Sequence, residues 1–125
     1  MNVLVDTSVW SIALRRAKRL GDAVPSELAE LVEEGRVVII GPIRQELLSG
    51  IKDRTQFDNL RQHLLAFPDL VLESADYEQA AEFFNKCRTK GVQGSNTDFL
   101  ISAVAVRRDL AIFTTDADFR HFAKT

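Results

Sequence analysis

The chain has little of what marks a secreted protein, a membrane protein or a typical nucleic-acid binder. Its single cysteine, Cys87, cannot form an intrachain disulfide, which fits a reducing cytoplasm. No apolar run approaches the roughly 18 residues of a transmembrane helix, and the first residues lack the basic region of a signal peptide. The net charge of −2 also differs from the basic charge of most nucleic-acid binders. We therefore expect a cytoplasmic protein without a membrane segment.

The sequence does contain alternating strand and helix patterns. With 125 residues, 46% of them hydrophobic, it is long enough for one domain with a core, and we expect a single domain over residues 1–125. Short apolar runs predict strands, and apolar residues three or four apart predict helices between them. The predicted strands are 3–5, 37–40, 70–72 and 110–114. Four of the predicted helices span 8–20, 55–66, 98–108 and 116–123. Three more are marked by their first turns: one has Pro25 there, one begins at Gly41 and Pro42, and one is capped by Ser74 and runs to Thr89.

This alternation predicts the α/β fold class, with a parallel sheet covered by helices on both faces. In open α/β sheets, ligands bind beyond the carboxyl ends of the strands. Four acids occupy such positions: Asp6 and Asp116 directly follow predicted strands, Glu46 follows 37–40, and Asp98 opens an apolar helix. Carboxylates packed together need a cation or protons between them, and oxygen ligands favour Mg²⁺ or Mn²⁺.

Each acid also has a purely structural interpretation. Asp6 and Asp116 are suited to cap the helices that follow them. Asp98 stands third after Ser95, as in a capping box, and Glu46 could be an exposed helix charge. A set of unrelated caps need not share one edge of a sheet, whereas a metal site must, so the combination favours the metal site.

Other chemistries fit the sequence less well. His63 and His121 lie in helical stretches without a nucleophile beside them, and we expect both at the surface. No cysteine and histidine spacing indicates zinc, and no glycine-rich phosphate loop is present. An aspartate-nucleophile phosphatase would need an acid where Ser8 stands, and a receiver domain would need an acid pair near Asp6.

Four segments together resemble the PIN-domain ribonucleases, and more narrowly the VapC toxins of toxin–antitoxin pairs. These segments are Val3-Leu4-Val5-Asp6-Thr7-Ser8-Val9-Trp10, the isolated Glu46, Thr97-Asp98-Phe99-Leu100-Ile101-Ser102-Ala103, and Thr114-Thr115-Asp116-Ala117-Asp118-Phe119. The resemblance covers essentially the whole chain, and the order and spacing of the segments are more specific than any one of them.

The resemblance implies a three-layer α/β/α fold and an endoribonuclease that depends on Mg²⁺ or Mn²⁺ and cleaves transfer RNA or another structured RNA. It implies that the four acids are catalytic and that three of them, Asp6, Asp98 and Asp116, bind the metal. Ser8 matches a hydroxyl residue that orients the first acid, and Asp118 matches an accessory acid of some members.

The resemblance also implies partners. We expect a cognate antitoxin that lays a helix along an apolar groove, with Trp10, Ile12, Leu28 and Leu31 as candidate lining residues, and we expect a homodimer or a toxin–antitoxin hetero-oligomer. The alternative is a catalytically silent PIN-like binding module that acts with an antitoxin. Two basic clusters are interpreted as solvated helix faces, with phosphate contact as the other reading: Arg15, Arg16, Lys18 and Arg19 in the first helix, and Arg107 and Arg108 in the late one.

Overall fold

A three-stranded parallel sheet lies at the centre of the computed structural model, which describes residues 2–16 and 23–115. The helix predicted over 116–123 lies outside the described residues, and so do the four side chains of the basic cluster over 15–19. No helix in residues 2–16 and 23–115 is long and apolar enough to cross a membrane. In chain order the elements are β1 (Val3–Val5), α1 (Thr7–Arg16), α2 (Ala23–Glu33), β2 (Val37–Val38), α3 (Gly41–Leu48), α4 (Arg54–Leu64), α5 (Ser74–Thr89), α6 (Asn96–Arg108) and β3 (Ala111–Phe113).

The first strand, β1, lies between the other two, in the order β2-β1-β3. Leu4 aligns with Val38 on one side and with Ile112 on the other, and both pairings are parallel. All of β1 is buried, although successive side chains of a strand point to opposite faces. Both faces of the sheet are therefore covered, and the predicted three-layer α/β/α fold is confirmed.

The core forms where the sheet meets α1, α3 and α6. Cys87 and Trp10 are both buried, and the Trp10 ring packs edge-on against Phe67 with centroids 5.3 Å apart. The side chains with no exposed surface in this core are Leu4, Val5, Val9, Ile39, Ile40, Ile43, Ile101 and Val104. The strand ends that carry the polar residues of the site are thus fixed on a rigid base.

The predicted strand over 70–72 is wrong. The backbone there makes an isolated parallel bridge between Ile39 and Asp69, with the Leu70 N–H donating to the Ile39 carbonyl at 2.9 Å. The side chain of Arg44 holds this segment instead: its Nε lies 2.9 Å from Asp69, and its guanidinium donates to the backbone carbonyls of Leu64 and Phe67. Within 70–72 itself, the Val71 carbonyl accepts from the Arg108 guanidinium at 2.9 Å. A carbonyl group satisfied by a side chain needs no strand ladder.

The arginines at the end of α6 are not a free basic face, contrary to the interpretation of the sequence. Arg107 and Arg108 both bond the carboxylate of Asp76, which lies in the first turn of α5 and is fully buried. That carboxylate also accepts the Glu73 N–H at 2.8 Å, so Ser74 is the first helical residue rather than the cap. Burial raises the pKa of Asp76, but the Glu73 N–H and the two guanidinium groups outweigh it and hold the pKa below its ordinary value.

Candidate active site

The carboxylate of Asp6 is fixed from three sides at the carboxyl end of β1. It is only 5% exposed. Its Oδ1 accepts the Thr7 N–H at 2.8 Å, and its Oδ2 accepts the hydroxyls of Ser8 at 3.0 Å and Thr114 at 2.8 Å. The Asp6 N–H donates to the Phe113 carbonyl at 2.9 Å, which ties the end of β1 to the end of β3. The structure thus places Ser8 against the acid that the resemblance assigns to it.

The second predicted acid, Glu46, lies on the exposed side of α3. This helix begins at Gly41 and Pro42 and is anchored by Ile43 and Leu47, both buried. Although Glu46 is exposed, its Oε2 accepts the Thr7 hydroxyl at 2.8 Å. It is therefore not a freely solvated charge but a carboxylate held against the start of α1.

One residue, Thr7, bonds both of these acids. Its backbone N–H donates to Asp6 and its hydroxyl donates to Glu46, 39 positions further along the chain. Two carboxylates that share one small residue lie close together, where their charges repel and a cation between them is favoured.

Asp98 does cap a helix, as its structural interpretation predicts. Its N–H donates to the Ser95 hydroxyl at 3.1 Å, and its Oδ2 accepts the Ser95 N–H at 3.4 Å. Helix α6 then reaches β3 through Asp109, whose φ of 54° turns the chain sharply. A helix joined so tightly to the following parallel strand runs antiparallel to it. This connection directs the N-terminus of α6 toward the edge of the sheet that carries Asp6. That Asp98 joins Asp6 in one site stays a prediction.

The remaining two predicted site residues, Asp116 and Asp118, lie outside the described residues. Within residues 2–16 and 23–115, no three His, Cys, Asp or Glu side chains are grouped closely enough to hold a metal ion. The described part of the site consists of the Asp6 and Glu46 pair, with Asp98 toward the same edge. The side-chain atoms of these acids that could bind a metal are all oxygens, which are ligands typical of Mg²⁺ or Mn²⁺ rather than of zinc. A four-acid metal site stays a prediction.

Two residues of this arrangement, Thr7 and Thr114, received no role in the sequence interpretation. Thr114 is the first residue after β3, and its neighbour Thr115 donates its N–H to the Ser8 hydroxyl at 3.3 Å. The position of Thr114 as the last residue of the predicted strand 110–114 was a usable signal, because it places the hydroxyl at the same edge as Asp6. The bond from Thr7 to Glu46 had no such signal, since it joins two helices distant in sequence.

An apolar groove opens between α1, α3 and α4, away from the residues predicted to line it. Of the predicted residues, Trp10 and Leu28 are 5% exposed and pack in the core, whereas Ile12 and Leu31 are partly buried; none of them lines this groove. The groove has a volume of about 640 Å³. Its aliphatic lining consists of Leu14, Leu47, Ile51 and Leu60, with Ser11, Gln56 and His63 as polar neighbours. His63 is exposed, as predicted.

Comparison with known proteins adds family relationships to this geometry. Residues 3–125 match the family model described as the PIN domain. The chain is 32% identical to VapC ribonuclease Mb1587 of Mycobacterium bovis, over 98% of this chain and 92% of that protein. The same identity and coverage relate it to Ribonuclease VapC11 of Mycobacterium tuberculosis.

Two crystal structures share the fold. FitAcB from Neisseria gonorrhoeae superposes with a TM-score of 0.78 at 22% identity, covering 98% of this chain and 94% of the other. VapBC2 from Rickettsia felis, bound to a DNA fragment from their promoter, also gives 0.78, at 19% identity, covering 97% and 92%. At these identities the likeness extends to the fold.

Proposed function

Because the chain belongs to the PIN-domain family, we propose that it is a metal-dependent endoribonuclease and the toxin of a toxin–antitoxin pair. The observation that carries this proposal is the pairing of Asp6 and Glu46 through Thr7, at the carboxyl edge of a parallel sheet. The identity to proteins named as ribonucleases supports it independently. We infer that transfer RNA or another structured RNA is the substrate.

The acids of this edge would hold Mg²⁺ or Mn²⁺. Asp6, Asp98 and Asp116 are the proposed ligands, and Glu46 completes the acidic surroundings. When bound, such a cation polarises the phosphate and makes water a stronger acid. The hydroxyls of Ser8 and Thr114 fix the Asp6 carboxylate, so that this ligand needs little reorganisation when the site is loaded.

The reaction is hydrolysis of a phosphodiester. The oxygen of a water molecule forms a bond to phosphorus, and the bond from phosphorus to the leaving ribose oxygen breaks, with a proton taken up by that oxygen. Glu46 is the exposed member of the described acids, whereas Asp6 is buried. We assign Glu46 the acceptance of the water proton, because a general base must be within hydrogen-bond reach of the attacking water.

Cleavage of RNA by the purified chain tests this proposal. Total RNA and transfer RNA are incubated with Mn²⁺ or Mg²⁺ or with EDTA, beside the variant Asp98→Asn. We expect discrete fragments that require metal and that fall by at least about 10²-fold in the variant, because a ligand carboxylate is lost. End mapping of the fragments identifies the RNA.

Two results would contradict the proposal. Fragments that persist in EDTA and in Asp98→Asn would show that the cleavage does not come from this site. Absence of both cleavage and Mn²⁺ binding would leave a PIN-like binding module. Binding of Mn²⁺ by the wild type but not by the variant separates these outcomes from a narrow RNA preference.

The groove suits the proposed antitoxin, in the form of an amphipathic helix. Leu14 is 45% exposed there, beside the buried Leu47. An apolar side chain left open to water in a concave surface favours a partner that buries it. We also propose that the chain forms a homodimer or a hetero-oligomer with the antitoxin.

Introducing a charge into the groove tests where the antitoxin binds. We expect Leu14→Glu to weaken binding of the coexpressed antitoxin by about 30-fold or more, because a buried apolar contact becomes a buried charge. Leu65→Glu is the matched control, since Leu65 is 63% exposed and lies outside the groove lining. Affinity is measured by calorimetry. Equal affinities for the two variants would place the antitoxin elsewhere.

A further inference from the structure

The carboxylate of Glu46 has a fixed position although nothing in its own helix fixes it. An exposed glutamate samples several rotamers, and fixing one costs conformational entropy. Among the described residues, it is the Thr7 hydroxyl that bonds Glu46, at 2.8 Å. The buried neighbours of Glu46 anchor the helix backbone but leave the carboxylate itself free to turn.

Thr7 itself is unusually well placed to fix another side chain. It is the first residue of α1, and its N–H is bonded to Asp6, which is in turn bonded by Ser8 and Thr114. The second substituent on its β-carbon restricts rotation about χ1 more than in serine. Through its two hydrogen bonds, Thr7 therefore links the buried carboxylate of Asp6 to the exposed carboxylate of Glu46.

We propose that Thr7 is a positioning residue that holds Glu46 beside Asp6 before any cation binds. This inference rests on the proposed function and adds to it the residue that prepares the second acid. Glu46 is not itself one of the proposed ligands, but the Thr7 hydroxyl fixes its negative charge beside the proposed ligand Asp6. Groups around the ligands of a metal typically change its affinity by about 10- to 100-fold when they are removed. A carboxylate already in place does not have to be ordered when the site is loaded.

The variants Thr7→Val and Thr7→Ser separate the hydroxyl from the shape of the side chain. Valine preserves the branched shape and removes the donor, whereas serine keeps the donor. We expect Thr7→Val to weaken Mn²⁺ binding by about tenfold or more in calorimetric titrations without RNA. Thr7→Ser should bind within a few-fold of the wild type. Urea unfolding without metal should be nearly unchanged in both, which a purely structural role would not produce.

A double variant tests whether Thr7 acts through Glu46. We expect Thr7→Val combined with Glu46→Gln to bind Mn²⁺ no more weakly than Glu46→Gln alone, because the hydroxyl then has no carboxylate to hold. Losses that simply add in the double variant would overturn the proposal. Unchanged Mn²⁺ affinity in Thr7→Val, or an equal loss in Thr7→Ser, would overturn it as well.

A measurement without metal distinguishes this proposal from the proposed function. The side-chain order parameter of Glu46, from ¹³C relaxation in the metal-free protein, should fall in Thr7→Val and be retained in Thr7→Ser. If the wild type binds no Mn²⁺, the proposed metal-dependent function fails, and the order parameter still decides whether Thr7 holds Glu46. An order parameter unaffected by Thr7→Val would refute the positioning role.

Discussion

Asp6→Asn is expected to reduce RNA cleavage by at least about 10²-fold, a loss as large as that expected for Asp98→Asn. The reason is that, in the proposed site, Asp6 would supply a negative ligand at the point where two strands and α1 meet. Asparagine retains the shape, and an amide oxygen can still accept the Thr7 N–H. The hydroxyls of Ser8 and Thr114 can rotate to accept from the amide nitrogen, so the fold should lose only about 1 kcal/mol.

The measurement pairs single-turnover cleavage with urea unfolding. Asp53→Asn is the matched control, because Asp53 also accepts a backbone N–H, that of Gln56 at 3.0 Å, but caps α4 away from the sheet edge. Asparagine is as good a cap as aspartate, and the control should keep both its activity and its stability. A variant Asp6→Asn that cleaves at the wild-type rate would remove Asp6 from the site.

Asp76→Asn is expected to lower the free energy of unfolding by about 3 kcal/mol, the largest stability effect among the contacts described above. Asp76 is fully buried between α5 and α6 and neutralises both Arg107 and Arg108. Asparagine removes the carboxylate charge from both guanidinium groups, leaves Arg108 with the exposed Glu73 at 3.4 Å, and turns an amide N–H toward one of them. The arginine side chains keep 29% and 23% of their surface exposed, which places the loss at the lower end of the range for buried pairs.

Urea and thermal unfolding measure this loss, and a fall in Tm of about 10 °C is expected. Glu34→Gln is the comparison, since Glu34 pairs with Arg36 at 3.1 Å on the surface with 51% of its side chain exposed. Exposed pairs contribute less than about 1 kcal/mol. Similar losses of unfolding free energy in the two variants would mean that the buried contacts of Asp76 stabilise the fold no more than an exposed ion pair does.

The same carboxylate predicts a dependence on pH. The pKa of Asp76 is lowered in the folded chain, so its contribution is fully present above the unfolded-state pKa of about 3.9. The contribution is lost as the pH falls from there through the lowered pKa. The difference in free energy of unfolding between wild type and Asp76→Asn should therefore be constant from about pH 5 to 8 and shrink below about pH 4. A difference that grows in acid would contradict the assigned contacts.

The central strands and their helices could be predicted from the sequence because their signals are local. Val3–Val5 and Ala111–Phe113 are short apolar runs, and the Ser95 and Asp98 capping box marks the start of α6 within four residues. The predicted strand over 70–72 failed because side chains distant in sequence hold this part of the chain: Arg108 satisfies the Val71 carbonyl, and Arg44 bonds Asp69 just before it. No periodicity within 70–72 contains that information.

In the candidate site, too, local sequence signals predicted some features, and contacts between residues distant in sequence decided the others. Positions beyond strand ends indicated Asp6 and the other acids, and the structure places Asp6 and Glu46 together through Thr7. The arginines at the end of α6 were assigned to solvent because nothing local distinguishes an exposed arginine from one that reaches a buried acid on another helix. Contacts between helices decide such cases, and composition and spacing do not determine them.

Helix α3 serves two surfaces with neighbouring residues. Glu46 bonds Thr7 at the sheet edge, and Leu47, the next residue, lines the apolar groove. Since the helix has only eight residues, a substitution at Leu47 that reshaped the groove would also shift the carboxylate. Adaptation to a new partner is therefore least constrained at Leu14 and Leu60, which line the groove from other helices. Under the proposed function, the surface that binds the antitoxin could therefore change while the acids of the sheet edge stay in place.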